Sequence, residues 1–180
     1  MTIEPDTKDW TWVLDKPCPD CGFDATSVSF DAIPGLTLEN AAQWVRVLQR
    51  DDVAERPRPD VWSPLEYACH VRDVFRLFNM RLGVMTNEDE PRFANWDQDE
   101  TALSERYGEQ EPADVGRGLA EAAEVISSSF AAVSPDQLGR RGFRSDGAEF
   151  TIDSFARYFI HDPVHHLWDV TPHSGEVGNL

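Results

Sequence analysis

Between Ser63 and Met85 the chain carries apolar residues at helical spacing with hardly a break: Tyr67, Ala68, Val71, Val74, Phe75, Phe78, Leu82 and Met85. Residues three and four apart share one face of an α-helix, so this stretch needs an apolar surface to lie against. Its start is also readable. In "WSPLEY", Ser63 suits the N-cap, Pro64 the first helical position, and Glu66 completes a capping box. A first helix fits from about Thr37 to Arg50, with Leu38, Ala41, Ala42, Val45 and Leu48 turned inward, and "RPRPD" ends it. A third runs from about Pro112 to Val133, and a last one starts near Thr151. Four helices of this kind define an all-α chain, an antiparallel four-helix bundle with long crossover connections.

Residues 1–35 read as an irregular N-terminal segment, with Trp10, Trp12, Phe23 and Phe30 as apolar anchors, and residues 36–180 as the bundle. The acidic connection 86–111 is too long for a mere turn; Phe93 and Trp96 favour a functional segment over a loose one. "FRSDGAEF" reads as a tight turn with Asp146 and Gly147 at its tip.

A chain of 180 residues is one domain with room for a real core. Acidic residues outnumber basic ones by 33 to 16, a formal charge of −17, which repels phosphate backbones and argues against a nucleic-acid partner. No apolar run approaches the roughly 18 residues of a membrane span, and "MTIEPDTKDW" lacks the features of an export signal, so the expectation is a cytoplasmic protein.

Three cysteines, Cys18, Cys21 and Cys69, fit no disulfide framework. "CPDCG" has the shape of a zinc-ribbon knuckle, and CxxC is also a redox motif. One knuckle, however, supplies two ligands where a structural zinc takes four. Cys69, assigned to the polar flank of the second helix, and His173 complete it only in principle. The plainest reading is a tight turn with two reduced thiols.

The last helix contains "ARYFIHDPVHHLWDV", residues 156–170. An interior proline costs on the order of 3 kcal/mol, so Pro163 either ends one helix and starts another, with Asp162 as N-cap, or kinks a single one. The series Ile152, Phe155, Ala156, Phe159, Ile160, Pro163, Val164, Leu167 keeps its phase across the proline and favours one kinked helix. His161 and His165 lie one turn apart, about 40° from each other on the wheel, and can share a metal ion. Yet the pair points nearly opposite to the apolar stripe. Either the helix has two buried faces, as at a bundle core plus a dimer contact, or these histidines are exposed. His166 falls inside the stripe and reads as a packing or supporting residue.

A third imidazole stands in "YACHVRD", where His70 sits at the edge of the second helix's stripe. If the second and last helices are neighbours, His70, His161 and His165 can converge. Three imidazoles suit Zn²⁺, Ni²⁺ or Fe²⁺ and leave a coordination position for water or substrate. Asp73 and Asp169 are carboxylates placed to orient such ligands.

The order of His70 in "EYACHVRDV", the "RSDG" turn and "HDPVHH", set in four helices of these lengths, resembles the DinB superfamily from about Leu36 to Val170. The resemblance implies a DinB-type bundle, often dimeric, with His70, His161 and His165 as the metal ligands. It also implies chemistry like that of metal-dependent thiol transferases using mycothiol or bacillithiol, or of a maleylpyruvate isomerase. The expectation is a metal-dependent enzyme, a thiol S-transferase or related isomerase or hydrolase. It would act on a small organic substrate with mycothiol as cosubstrate, Trp44, Trp96 and Tyr158 lining the pocket. No general base or nucleophile stands out in the sequence, which leaves a second class open: a metal-binding stress or small-molecule-binding protein without turnover.

Overall fold

The computed structural model describes residues 9–172. Four long helices form a bundle: α1 (Ile33–Val47), α2 (Pro64–Asn87), α4 (Pro112–Ala131) and α5 (Ile152–Asp169). A short α3 (Gln98–Ser104) lies in the connection between α2 and α4. Both α4 and α5 pack against both α1 and α2, so order round the bundle differs from order along the chain. No described helix is long and apolar enough to cross a membrane.

The start of α2 is the one its residues dictate. Ser63 Oγ accepts the Glu66 amide at 3.2 Å, and Glu66 returns the bond by accepting the Ser63 amide at 2.8 Å. Arg56 then donates to the same carboxylate at 2.8 Å. The α2 stripe is buried as its spacing requires, with Ala68, Val71, Val74, Phe75, Phe78, Leu82 and Met85 in the core.

Helix α1 differs. It buries Ile33, Thr37, Asn40, Ala41 and Trp44, while Leu38 is exposed. Buried polar residues with internal hydrogen bonds set this register: Thr37 donates to the Ile33 carbonyl at 2.8 Å, and Asn40 donates across the bundle to the Pro163 carbonyl at 2.9 Å. Trp44 is fully buried in the core as a result, not on a pocket wall.

Helix α5 runs unbroken through Pro163. It has two buried faces. One joins the core through Phe155, Phe159 and Ile160; the other is covered by the chain's own N-terminal segment, whose turns at Thr11–Leu14 and Ala25–Ser27 lie against it.

Connection 86–111 is ordered and contributes β1 (Arg92–Phe93), which pairs in parallel with β2 (Arg141–Arg144). β3 (Glu149–Thr151) pairs antiparallel with β2 through the Asp146–Gly147 turn. This small sheet, of which the sequence announced only the turn, presses on the end of α2. A Cβ at Gly142 would stand 2.9 Å from Met85 Cγ and 3.0 Å from Phe93 Cε1, so only glycine permits the approach.

Cys69 is buried in the core, its thiol directed at the Tyr107 carbonyl and Gln110, far from any role beside Cys18 and Cys21. His173 lies outside the described residues.

Candidate metal centres

His70 is 1 % exposed, enclosed by aromatic rings. Trp96 stacks on it at 5.2 Å with planes 9° apart, Trp62 lies at 5.5 Å, and His166 meets it edge-on at 4.9 Å. Among the described residues neither ring nitrogen of His70 has a hydrogen-bond partner, and the same holds for the buried Oδ1 of Asp162, 3.5 Å from His70 Nε2. His70, Asp162 and His166 each place a donor atom within 4.8 Å of the others. An unsatisfied buried polar group costs about 1–3 kcal/mol, and several converging on one point form a place that a cation can fill. Burial pushes the Asp162 carboxyl up, but the imidazoles of His70 and His166 outweigh it and set it at about 2. Two imidazoles and a carboxylate suit a divalent ion and leave positions open.

The three donors open on a cavity of about 780 Å³, large enough for a small organic molecule. Trp62, Trp96, Tyr158, Arg81 and Arg144 stand on its walls. Arg81 is 5 % exposed; it donates to the Ala94 carbonyl at 2.7 Å, while its Nε has no partner. Burial pulls this guanidinium down to about 10. Arg144 donates to the Tyr158 hydroxyl at 3.1 Å and to Asp146 at 2.8 Å.

A second cluster lies on the adjoining face of α5. Cys18 Sγ is 3.6 Å from His165 Nδ1, and Cys21 Sγ is 3.8 Å from His161 Nε2. All four donors fall within 4.8 Å of one another. Burial pushes the Cys21 thiol up to about 11 and His161 down to about 4, and it lowers His165 as well.

The structure thus divides the expected triad. His161 and His165 face Cys18 and Cys21, whereas His70 stands with Asp162 and His166. The cause is helical geometry: at about 100° per residue, a one-residue step turns the i, i+4 pair from the N-terminal segment towards α2. His166, read as a packing or supporting residue, is a donor of the His70 cluster, and Asp162, weighed only as an N-cap before Pro163, is another.

The remaining expectations also separate. Asp73 does not orient a histidine: it accepts from Tyr107 at 2.7 Å, from Arg72 at 3.0 Å and from Arg76 at 3.1 Å. Asp169 lies 2.9 Å from His166 Nδ1 and 3.8 Å from His165 Nε2, between the two clusters. Trp96 and Tyr158 line the cavity; Trp44 does not. Trp62 and Arg81, both on the cavity wall, were missed, although Trp62 sits one residue before the α2 cap.

Comparison with known proteins agrees with this architecture. No curated protein matches the sequence. Among solved structures, YfiT from Bacillus subtilis, described as a probable metal-dependent hydrolase with an unusual four-helix bundle topology, superposes with a TM-score of 0.70. The match covers 80% of this chain and 88% of that one at 16% identity, and so speaks for the fold. The model of the DinB superfamily matches residues 36–170, three quarters of the chain, which take in all four helices but for the first residues of α1, the small sheet, and His70, Asp162 and His166. The chain belongs to the DinB superfamily.

Proposed function

We propose that this protein is a divalent-metal-dependent enzyme whose ion is held by His70, Asp162 and His166 and whose substrate is a small organic molecule bound in the adjoining cavity. One observation carries the reading: buried donors without partners, both ring nitrogens of His70 and Asp162 Oδ1, converge with His166 on the cavity wall. A divalent ion bound there supplies the acidity that makes a water or a low-molecular-weight thiol nucleophilic near neutral pH.

The chain's own residues do the rest. Asp169 fixes the His166 ring through Nδ1. Trp62 and Trp96 clamp the His70 ring and keep bulk water from it. Arg81, on the cavity wall, offers its guanidinium to a substrate carbonyl or carboxylate, and Tyr158, tied to Arg144, lines the same cavity. The attacked group is an electrophilic carbon. The likeness to YfiT, a probable metal-dependent hydrolase, supports water as the nucleophile. The thiol-dependent members of the superfamily support a mycothiol-type thiol in its place.

The test is a pair of assays on protein loaded with zinc, nickel or iron: a chromogenic ester alone, and a chromogenic electrophile with added thiols. The proposal expects turnover in one of them that chelation abolishes and His70→Ala lacks. Ion binding without turnover in either assay would assign the chain to the non-catalytic class instead.

A further inference from the structure

We infer that Cys18, Cys21, His161 and His165 hold a zinc ion in a closed tetrahedral site that rivets the N-terminal segment to the turn of α5 carrying Asp162 and His166. This site stands on its own donors, two of which, His161 and His165, also border the cavity, and its test does not depend on turnover at the His70 centre.

Zinc bonds thiolate at about 2.3 Å and imidazole at about 2.0–2.1 Å, and tetrahedral directions then separate sulfur from nitrogen by about 3.6 Å. Of the four sulfur–nitrogen pairs that cross between the segments, Cys18–His165 and Cys21–His161 measure 3.6 and 3.8 Å, and all lie within 4.8 Å. Some 140 residues separate the cysteines from the histidines in sequence, so no local turn imposes these distances. Two sulfurs and two nitrogens in tetrahedral array select zinc among common divalent ions, and four protein donors leave no position for substrate.

The cysteine turn is built to present both sulfurs to α5. The Cys18 amide donates to the Phe23 carbonyl at 2.9 Å, and the Gly22 amide donates to the Cys18 carbonyl at 2.9 Å. Gly22 closes the loop at φ +72°, a left-handed conformation that glycine adopts without strain. Both cysteines are free thiols.

The surroundings suit a filled site. Trp10 covers the rings of His161 and His165 at 5.6 and 5.1 Å, and Phe23 flanks His161 at 6.2 Å. Two thiolates and two neutral imidazoles balance the ion's double charge, so the complex is neutral and its burial carries no unpaired-charge penalty. Its place gives it a role. His161 alternates with Asp162, and His165 with His166, around Pro163, where the helix lacks a backbone donor. An ion gripping one pair fixes the rotation of the turn that aims the other.

Cobalt titration of the reduced, metal-free, full-length chain tests this. The expected result is a near-ultraviolet thiolate-to-cobalt charge-transfer band with intense visible bands of four-coordinate cobalt, complete at one equivalent and bleached by zinc. His70→Ala should keep the band, and the double variant Cys18→Ser/Cys21→Ser should lack it. Zinc should also protect Cys18 and Cys21 of the wild type from alkylation until it is chelated, a readout that needs no variant to fold. A wild type without the charge-transfer band, a band that survives loss of both cysteines, or alkylation at the same rate with and without zinc would each overturn the inference.

Discussion

Asp169 Oδ2 lies 2.9 Å from His166 Nδ1, close enough to hold that ring by a hydrogen bond, while its other oxygen stops 3.8 Å short of His165 Nε2. The two clusters on α5 share a neighbour but only one is hydrogen-bonded to it. Asp169→Asn should therefore weaken divalent-ion binding at the His70 centre by about 10- to 100-fold, the usual worth of such a partner. The thiolate–cobalt band should persist. Competition with a chromophoric chelator measures the first effect, and the cobalt spectrum the second.

Arg81 is volume-matched by methionine but has donors that methionine lacks. The residue stands on the cavity wall, with its guanidinium over the Phe93 ring at 4.9 Å. For a substrate carrying a carbonyl or carboxylate, Arg81→Met should raise KM by roughly tenfold, about one hydrogen bond to a charged group, with a smaller change in kcat. Steady-state kinetics across a substrate series, beside a melting curve to verify the fold, checks this.

Asp73 gives the protein part of its acid sensitivity. Burial raises its carboxyl, but the hydrogen bonds from Arg72 and Tyr107 outweigh burial and hold it below the ordinary range. The unfolded chain therefore takes up the proton more readily than the folded one. The stabilisation is complete above the unfolded value of about 3.9 and is lost as pH falls through the lower folded value. Asp73→Asn should cost roughly 1–3 kcal/mol at neutral pH, with the difference from wild type shrinking in acid. Urea unfolding at neutral and acidic pH measures it.

Gly142 sets how closely the small sheet approaches α2. A methyl there would meet Met85 Cγ at 2.9 Å and Phe93 Cε1 at 3.0 Å. Gly142→Ala should destabilise by about 1–3 kcal/mol, the usual penalty of overpacking, and lower the melting temperature accordingly.

Local chemistry was legible in the sequence; long-range pairing was not. The Ser63–Glu66 box and the α2 stripe followed from residues within a turn or two of each other. Trp44 was misplaced because Thr37 and Asn40, polar by type, are buried, each donating a side-chain hydrogen bond to a backbone carbonyl, which shifts the α1 register away from the one its apolar residues suggest. The division of the histidines was half visible. The wheel set His161 and His165 nearly opposite the apolar stripe, a warning that they face a partner other than α2. One step round, His166 falls inside that stripe and Asp162 beside it. What no wheel displays is the partner on the far face: Cys18 and Cys21 reach it through a segment whose irregular sequence carries no period to follow.

On this reading α5 serves two separate ions from interleaved residues. Native mass spectrometry of the zinc-loaded, full-length chain counts them directly. Two zinc ions in the wild type, one in His70→Ala and one in Cys18→Ser/Cys21→Ser are predicted. A single ion in the wild type, lost in His70→Ala and in His161→Ala alike, would contradict it and restore one centre shared by His70, His161 and His165.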